Sequence, residues 1–228
     1  MGKKRTRTFI FIAIVATIII ILAAFIVLTN FALLSTVSGV RSGDEFVYDI
    51  KSYFTSSTPD LTVPVAVEEI NMTEWIKIAV TKVDGAEVTF ATTWHFKNGT
   101  QLQGNGNVNV ETGIKYPPNG FWQIYIANLK ENARVRPIGP DRSTINETTT
   151  RNYASGSRET NHISLEFVYV DSNNASTRWL EYQNIFFDKS VGILVEFSDK
   201  SIYTNPDVII TQVWTLKETN RWTVSSPT

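Results

Sequence analysis

The sequence predicts a mainly β, or α+β, protein: an N-terminal transmembrane helix followed by an antiparallel β-sheet domain of about ten strands with one short helix. Three observations lead to this prediction. Residues 9–34 are almost uninterruptedly apolar. After residue 44, apolar residues recur at every second position in many segments, the pattern of a half-buried antiparallel strand. The chain is also rich in residues that favour strands, with six Trp, eight Tyr and thirteen Phe.

The apolar run predicts a membrane anchor. Residues 9–28 alone would form about 30 Å of helix, the thickness of a bilayer's hydrocarbon core, and only Thr17 interrupts them. Lys3, Lys4, Arg5 and Arg7 precede the run, so the positive-inside rule places the N-terminus in the cytoplasm. A secretory signal peptide has an apolar region of only about 7–15 residues, so length favours a retained signal-anchor.

The anchor divides the chain into predicted regions. These are a cytoplasmic basic tail at 1–8, the transmembrane segment at 9–34, a linker at 35–44, an extracytoplasmic β-domain at 45–218 and a C-terminal tail at 219–228. The predicted location is the cell membrane, crossed once. Two alternatives stay open: cleavage at the small residues 35–39, and a pilin-like filament subunit whose apolar helix packs in a filament core.

Alternation predicts the individual strands. Phe46, Tyr48 and Ile50 form the first apolar face, and Asp84-Gly85 predicts a hairpin turn between the next two strands. The strands after the first are predicted at 75–83, 88–96, 108–110, 145–153, 162–170, 179–188, 193–197 and 208–216. The piece 103–107, with Gly104 and Gly106, is predicted to be a turn. The apolar residues of 121–132 share one helical face, so this segment is expected to be the short helix.

Two turns have a similar layout. Residues 108–113 and 187–192 each follow an apolar strand and end in Gly. Two copies of one β-unit would explain the similarity, and so would the recurrence of similar turns in any long meander.

Charge and cysteine content restrict the classes of function. The part after the basic tail has 17 basic and 22 acidic residues, a net charge of about −5, which argues against a nucleic-acid partner. There is no Cys, so neither a disulfide nor a lipid-carrying Cys is available. The domain must therefore be stabilised by its core and its sheet hydrogen bonds.

The sequence predicts no catalytic, cofactor-binding or metal site. His95 and His162 are the only His residues and neither has a partner at metal-ligand spacing, so both are expected to face solvent on strands. Several other polar groups fail to form a recognisable site: the adjacent Glu68 and Glu69, the Gly104-Asn-Gly106 piece, the loop residue Ser157 and the calcium-like fragment Asp171, Asn173 and Asn174. Clustering of His162, Arg158 and a carboxylate in one cleft would instead favour an enzyme.

Four acceptor sequons for N-glycosylation lie on the predicted external side. Their asparagines are Asn71, Asn98, Asn146 and Asn174.

The tryptophans give a further expectation, because exposed aromatic residues bind sugars and a concave apolar face binds lipid. Trp94 lies on the apolar side of its strand and is expected in the core. Trp222 lies in the tail and either docks back or marks a contact surface.

Two stretches carry resemblances. Residues 185–196, Ile-Phe-Phe-Asp-Lys-Ser-Val-Gly-Ile-Leu-Val-Glu, resemble a hairpin of extracytoplasmic lipoprotein-carrier-like proteins, although Val191 replaces the usual Thr. That resemblance implies an open half-barrel of antiparallel strands around a lipophilic cavity, closed by helices. The anchor, the Gly-Asp-x-x-x-Tyr piece at 43–48 and the Asn-rich turns resemble uncharacterised archaeal surface proteins, which imply no activity.

These features together predict a non-catalytic protein of the cell surface that binds or assembles. Its expected partners are the membrane and an envelope protein, a glycan or an apolar ligand; no cofactor is expected. The main alternative is a half-barrel carrier of a lipid or other apolar ligand, which would require an apolar cavity of several hundred Å³. A solid core would contradict that alternative.

Overall fold

The structure is a computed structural model that describes residues 38–118, 120–153, 156–170, 178–204 and 206–222. These residues form ten strands and one short helix, α1, so the predicted mainly β class is confirmed. In chain order the elements are β1 (Glu45–Ser56), α1 (Val65–Asn71), β2 (Thr73–Asp84), β3 (Glu87–Phe96), β4 (Gln101–Asn109), β5 (Lys115–Tyr116), β6 (Glu147–Tyr153), β7 (Gly156–Val170), β8 (Arg178–Asp188), β9 (Leu194–Thr204) and β10 (Asp207–Thr219).

All ten strands belong to one open antiparallel sheet. Their order is β5-β4-β3-β2-β1-β10-β9-β8-β7-β6. The sheet therefore consists of two five-strand meanders that meet where β1 pairs with β10, the first and last strands of the described chain. This pairing runs from Phe46 opposite Thr219 to Ser56 opposite Val208 and closes the domain between its two ends.

One face of the sheet, here called the inner face, carries the core. Phe46, Tyr48 and Ile50 of β1 are at most 2 % exposed, as their alternation predicted. The same face continues through Ile76 and Ile78 of β2, which lie opposite β1 in the register. Burial of such side chains contributes about 1.5–3 kcal/mol each and is the main source of stability in a domain without disulfides.

The inner face is covered by chain that crosses from β5 back to β6. This covering segment, residues 120–146, contributes Ile124, Tyr125 and Ile126 to the core. The predicted helix at 121–132 is wrong, because the segment is extended and bridges the sheet instead. Ile124 pairs with Ile193, and the Tyr125 N–H donates to the Gly192 carbonyl at 2.7 Å.

Arg136 explains why the covering segment does not need helical hydrogen bonds. Its guanidinium donates to the carbonyls of Val110 (2.9 Å), Ile124 (2.7 Å) and Trp122 (2.9 Å). The side chain is 1 % exposed and lies 4.5 Å from the centroid of the Tyr125 ring. Burial lowers the pKa of Arg136 from its ordinary value. The buried cation thus supplies donors to two carbonyls of the covering segment, those of Trp122 and Ile124.

The observed helix lies elsewhere, between β1 and β2. Pro64 precedes α1, a position at which its fixed φ suits the start of a helix. The adjacent Glu68 and Glu69 lie on α1, where Glu68 is in the first turn. Only Val67 of this helix is buried. Seven residues with one buried apolar side chain give almost no 3.6-residue periodicity, so the pattern could not reveal the helix.

The two similar turns share one local conformation. Asn109 Oδ1 accepts the N–H groups of residues 111 and 112, and Asp188 Oδ1 likewise accepts those of residues 190 and 191. Gly113 and Gly192 both have positive φ and donate back to the carbonyls of Asn109 and Asp188. The turns nevertheless follow β4 and β8, which are not equivalent positions in the two meanders. The two segments therefore share a type of turn, and this similarity does not support an internal duplication of the domain.

The ends of the described chain pack against each other. Val40, in the predicted linker, is 2 % exposed, and Trp222, in the predicted tail, packs against Phe46 with ring centroids 6.3 Å apart. Asn220 accepts the Glu45 N–H and donates to the Gly43 carbonyl. Within the described ranges no helix is both long and apolar enough to cross a membrane. The predicted anchor at 9–34, and with it the filament alternative, lies outside those ranges.

Candidate functional site

Two neighbouring rows of side chains cross the inner face and differ in character. The first row is apolar and runs through Ile50, Trp214, Phe197 and Ile185, which are opposite one another in the register. The next row is polar. It consists of Ser52 on β1, Gln212 on β10, Asp199 on β9 and Gln183 on β8. Because inner-face residues pack on the core, such a polar row is a candidate binding site.

A cavity of about 460 Å³ lies where these rows meet the covering segment. This volume is within the range of about 300–1,000 Å³ typical of small-molecule sites. Its floor is formed by β2, β3 and β4 on one side and by β8, β9 and β10 on the other. Pro117 and residues 120–123 form the roof. The cavity thus spans the junction of the two meanders.

Aromatic rings dominate the cavity wall. Trp214 lies between Trp94, with ring centroids 6.1 Å apart at 85°, and Phe121, with centroids 6.2 Å apart. Phe121 also contacts the Phe90 ring edge-on at 5.8 Å. Phe197 and Trp122 complete the aromatic part of the lining. The rings therefore pack against one another around the cavity.

Three of the residues that line this cavity have a polar atom without a hydrogen-bond partner among the described residues. The atoms are Gln123 Oε1, Asp199 Oδ1 and Trp214 Nε1, and all three are shielded from solvent. Gln123 is only 6 % exposed, and its main-chain carbonyl accepts the Leu194 N–H, which fixes its backbone to β9. An unpaired buried polar atom is unfavourable by about 1–3 kcal/mol. Two unpaired acceptors and one donor on residues that line one cavity are therefore candidates for contacts with a bound molecule.

Asp199 is the electrostatic centre of the polar row. Burial, the largest cause, and the Glu181 charge together raise its pKa to about 6, while a hydrogen bond from Gln183 acts in the opposite direction. Gln183 also donates its amide to Glu181 Oε1, so one side chain links the two carboxyl groups. Strongly shifted carboxyl groups in clefts are frequent at functional sites, although structural networks produce them as well.

Two glycines make room for the cavity. Gly104 and Gly106 lie in β4, not in the turn that the sequence suggested, and both line the cavity. A Cβ on Gly106 would come within 2.9 Å of the Phe90 ring, and one on Gly104 within 3.0 Å of Thr92 Oγ1. Glycine at two alternate positions of one strand therefore allows close packing and leaves open space on that face.

A second, more open depression adjoins the first. It has a volume of about 800 Å³ and lies between α1 and the β3–β4 hairpin. Trp94 lines both spaces and separates them. The lining includes the exposed Leu102 and Met72, and also Glu68 and Glu69 of the helix.

His95 and Trp75 lie outside the cavity. His95 is on the opposite face from Trp94, as predicted, but its ring is stacked on Trp75 at 4.7 Å and its side chain is only 21 % exposed. Its Nδ1 lies 3.0 Å from Glu74 Oε2. The expectation of a solvent-facing His95 is therefore only partly met.

His162 and Arg158 have separate carboxylate partners. His162 stacks on Phe186 at 4.2 Å and contacts Glu147 (3.2 Å) and Asn184 (3.1 Å). Arg158 instead pairs with Asp188. Among the described residues, no group of three or more His, Asp and Glu side chains is arranged to hold a metal ion. The calcium-like fragment at 171–174 lies outside the described ranges.

The sequons occupy different environments. Asn98 is exposed and accepts the Thr100 N–H and hydroxyl, whereas Asn71 is half-buried and bonded to the main chain of Ser52. Asn146 is exposed and accepts the Ser164 N–H at 2.7 Å. Asn174 lies outside the described ranges. Glycosylation of these asparagines stays a prediction.

The polar row was missed in the sequence, although a signal for it exists. Gln183, Asp199 and Gln212 each occupy an inward position in an otherwise alternating strand. Each is a single polar residue in the apolar pattern of its strand. That the three residues are neighbours can be seen only when the pairing register of the strands is known. Gln123 lies in the segment that was predicted to be helical, so its orientation could not be inferred.

Comparison with known proteins adds no family. No protein-family model matches the chain, and no curated protein matches its sequence.

Proposed function

We propose that this chain is a membrane-anchored extracytoplasmic binding protein that holds a small, largely apolar molecule in the cavity on the inner face of its sheet. The observation that carries the proposal is the coincidence of an aromatic cavity of about 460 Å³ with three shielded polar atoms that lack partners among the described residues. A few fixed polar groups in an apolar cleft are typical of ligand sites, since the walls supply affinity and the polar groups supply orientation.

Binding explains the arrangement better than hydrolysis does. Hydrolysis of a glycosidic bond by two carboxyl groups requires both to flank the bond in one cleft. Among the described lining residues of the cavity, Asp199 is the single carboxylate, and Glu181 lies beside it without lining the space. An acid without a second catalytic group in the same cleft orients a ligand more readily than it cleaves one.

Rigidity of the roof supports the same conclusion. Arg136 donates to the carbonyls of Trp122 and Ile124, in and beside the roof, and to that of Val110 outside the covering segment, so it ties the roof to the chain that follows β4. A preformed cavity binds without a large ordering cost, because its walls are already fixed before the ligand arrives.

A substitution that fills the cavity tests the proposal. Thr92→Phe places a ring in the space that Thr92 lines, and Thr93→Phe adds the same bulk on the opposite face of the same strand. The full-length protein in lipid nanodiscs is titrated with phenylbutanol, a neutral amphipathic probe, and binding is followed by ligand-observed NMR with empty nanodiscs subtracted. We expect Thr92→Phe to weaken binding by at least about tenfold, the effect of losing about 1.4 kcal/mol of contacts.

The outcome of this comparison is decisive in either direction. Retention of binding in Thr93→Phe together with its loss in Thr92→Phe supports the cavity as the site. Equal binding by both variants, or none by the native protein, contradicts the proposal.

The proposed location rests on residues 9–34, whose length and basic flank favour a retained anchor. The mass of the mature protein from its own cells tests it. An intact N-terminus in the membrane fraction is the expected result, and loss of roughly the first forty residues, the length of a leader ending after the apolar run, would contradict it.

A further inference from the structure

We infer that the ligand of this cavity carries a protonated amine next to an apolar body, and that Asp199 together with Gln123 receives the ammonium group. This inference rests on the proposed function and specifies its ligand class. Three observations support it: the negative charge at the cavity, the aromatic side chains of its wall, and whether the unpaired atoms donate or accept hydrogen bonds.

The charge at the site is negative. Asp199 is the one ionisable side chain among the described residues that line the cavity, and Glu181 adds a second carboxylate next to it. Lys115 lies nearby, with Nζ 5.2 Å from the centroid of the Trp122 ring, but it is not among the lining residues. An anionic ligand group would face Asp199 without a lining cation to pair with. A cationic group would gain a charge-assisted hydrogen bond.

The aromatic wall favours the same sign. A cation is attracted to the face of an aromatic ring, most strongly to that of Trp, when it lies within about 6 Å of the centroid. Trp94, Trp214 and Phe121 line the space beside the polar row. The attraction rises when water is excluded, which the roof residues 120–123 promote.

The unpaired atoms select an amine that still has N–H groups. Asp199 Oδ1 and Gln123 Oε1 can only accept hydrogen bonds, and Gln123 is 94 % buried, so its oxygen has no access to bulk water. A primary ammonium offers three donors, whereas a quaternary ammonium offers none. Trp214 Nε1 is a donor without a partner among the described residues and matches an acceptor, such as a hydroxyl or carbonyl, elsewhere on the ligand.

Three probes with the same apolar body separate charge from hydrophobic contact. Phenylbutylammonium is positive, phenylbutanol neutral and phenylbutyrate negative. Each is titrated into the full-length protein in nanodiscs of neutral lipid near pH 7.5. We expect the ammonium to bind about tenfold more tightly than the alcohol, and phenylbutyrate to bind most weakly.

Two substitutions that remove the same charge show where the preference originates. Asp199→Asn should reduce the preference for the ammonium to less than about threefold, because the charge-assisted bond is lost. Glu166→Gln removes an exposed carboxylate from the opposite face of the sheet and should leave the preference unchanged.

The possible results distinguish this inference from the proposed function. Equal binding of ammonium and alcohol, or a preference that Asp199→Asn leaves intact, overturns the inference while the cavity still binds apolar molecules. Absence of binding by all three probes overturns both. If Glu166→Gln reduces the preference for the ammonium as much as Asp199→Asn does, the preference arises from the general surface charge, and the inference is overturned.

Discussion

The Asn71 side chain makes the two hydrogen bonds to the Ser52 main chain that a neighbouring strand would make. Its Oδ1 accepts the Ser52 N–H at 2.9 Å, and its Nδ2 donates to the Ser52 carbonyl at 2.8 Å. The pairing of β1 with β2 extends only from Glu45 to Tyr48, so the main chain of Ser52 has no β2 neighbour on that side. One amide side chain at the end of α1 therefore supplies both hydrogen bonds that the adjacent strand would otherwise make.

Asn71→Ala should destabilise the domain by about 1–3 kcal/mol, because it leaves a partly buried N–H and C=O without partners. Urea unfolding followed by tryptophan fluorescence measures the change in the free energy of unfolding. Asn98→Ala, in the exposed β3–β4 turn, is the matched control and should change that free energy less. Equal effects would show that the Ser52 contacts do not stabilise the domain.

In a host that glycosylates asparagine, Asn98 should be occupied and Asn71 largely unoccupied. The Asn98 side chain is exposed in a turn and its oxygen accepts the Thr100 hydroxyl at 2.7 Å. A sugar on Asn71 Nδ2 would instead lie between α1 and β1, where that nitrogen bonds Ser52. Glycopeptide mass spectrometry measures occupancy at each site, and full occupancy of Asn71 in folded protein would contradict this prediction.

Arg136→Met should destabilise the domain by roughly 3 kcal/mol or more, because three carbonyls of buried or partly buried chain lose their donor at once. Arg142→Met makes the same chemical change at an exposed position of the covering segment and should have little effect. Thermal unfolding of the two variants provides the comparison. A small effect at Arg136 would mean that the covering segment is held mainly by its apolar contacts.

Asp199 should make stability depend on pH. Its pKa is raised to about 6 by burial and by the Glu181 charge, whereas an unfolded Asp has a pKa of about 3.9. Because the folded chain binds this proton more tightly, ionisation of Asp199 opposes folding at pH values above about 6, and the penalty disappears as the pH falls to about 4.

Asp199→Asn removes that titration. The variant should therefore exceed the native protein in free energy of unfolding by more near pH 7.5 than near pH 4, as measured by urea unfolding at both values. The difference between the two proteins is the relevant quantity, since other groups titrate equally in both. A constant difference across this range would show that Asp199 titrates alike in the folded and unfolded chains.

Much of the sheet could be predicted from alternation, because each inward residue is buried independently of its neighbours. Phe46, Tyr48 and Ile50 are one such set, and Val88 and Phe90 are another. β4 was predicted too short because Gly104 and Gly106 look like turn residues, while in the sheet they accommodate the Phe90 ring and the Thr92 hydroxyl. The alternation of apolar and polar residues cannot show where a strand needs glycine because a neighbouring side chain occupies the space of a Cβ.

The covering segment could not be predicted for a different reason. Its conformation depends on Arg136, whose partners are up to 26 residues away in the sequence, and on pairing with residue 193. The polar row depends in the same way on the registers of β1, β10, β9 and β8. Local periodicity contains no information about such distant pairings, and the site exists only because of them.

A crystal structure of the protein with phenylbutylammonium shows directly where the probe binds. Density for the probe is expected in the cavity, with the ammonium within hydrogen-bonding distance of Asp199 Oδ1 and Gln123 Oε1 and the phenyl ring against Trp214. A cavity closed by its own side chains, or a probe bound only elsewhere on the sheet, would contradict the account.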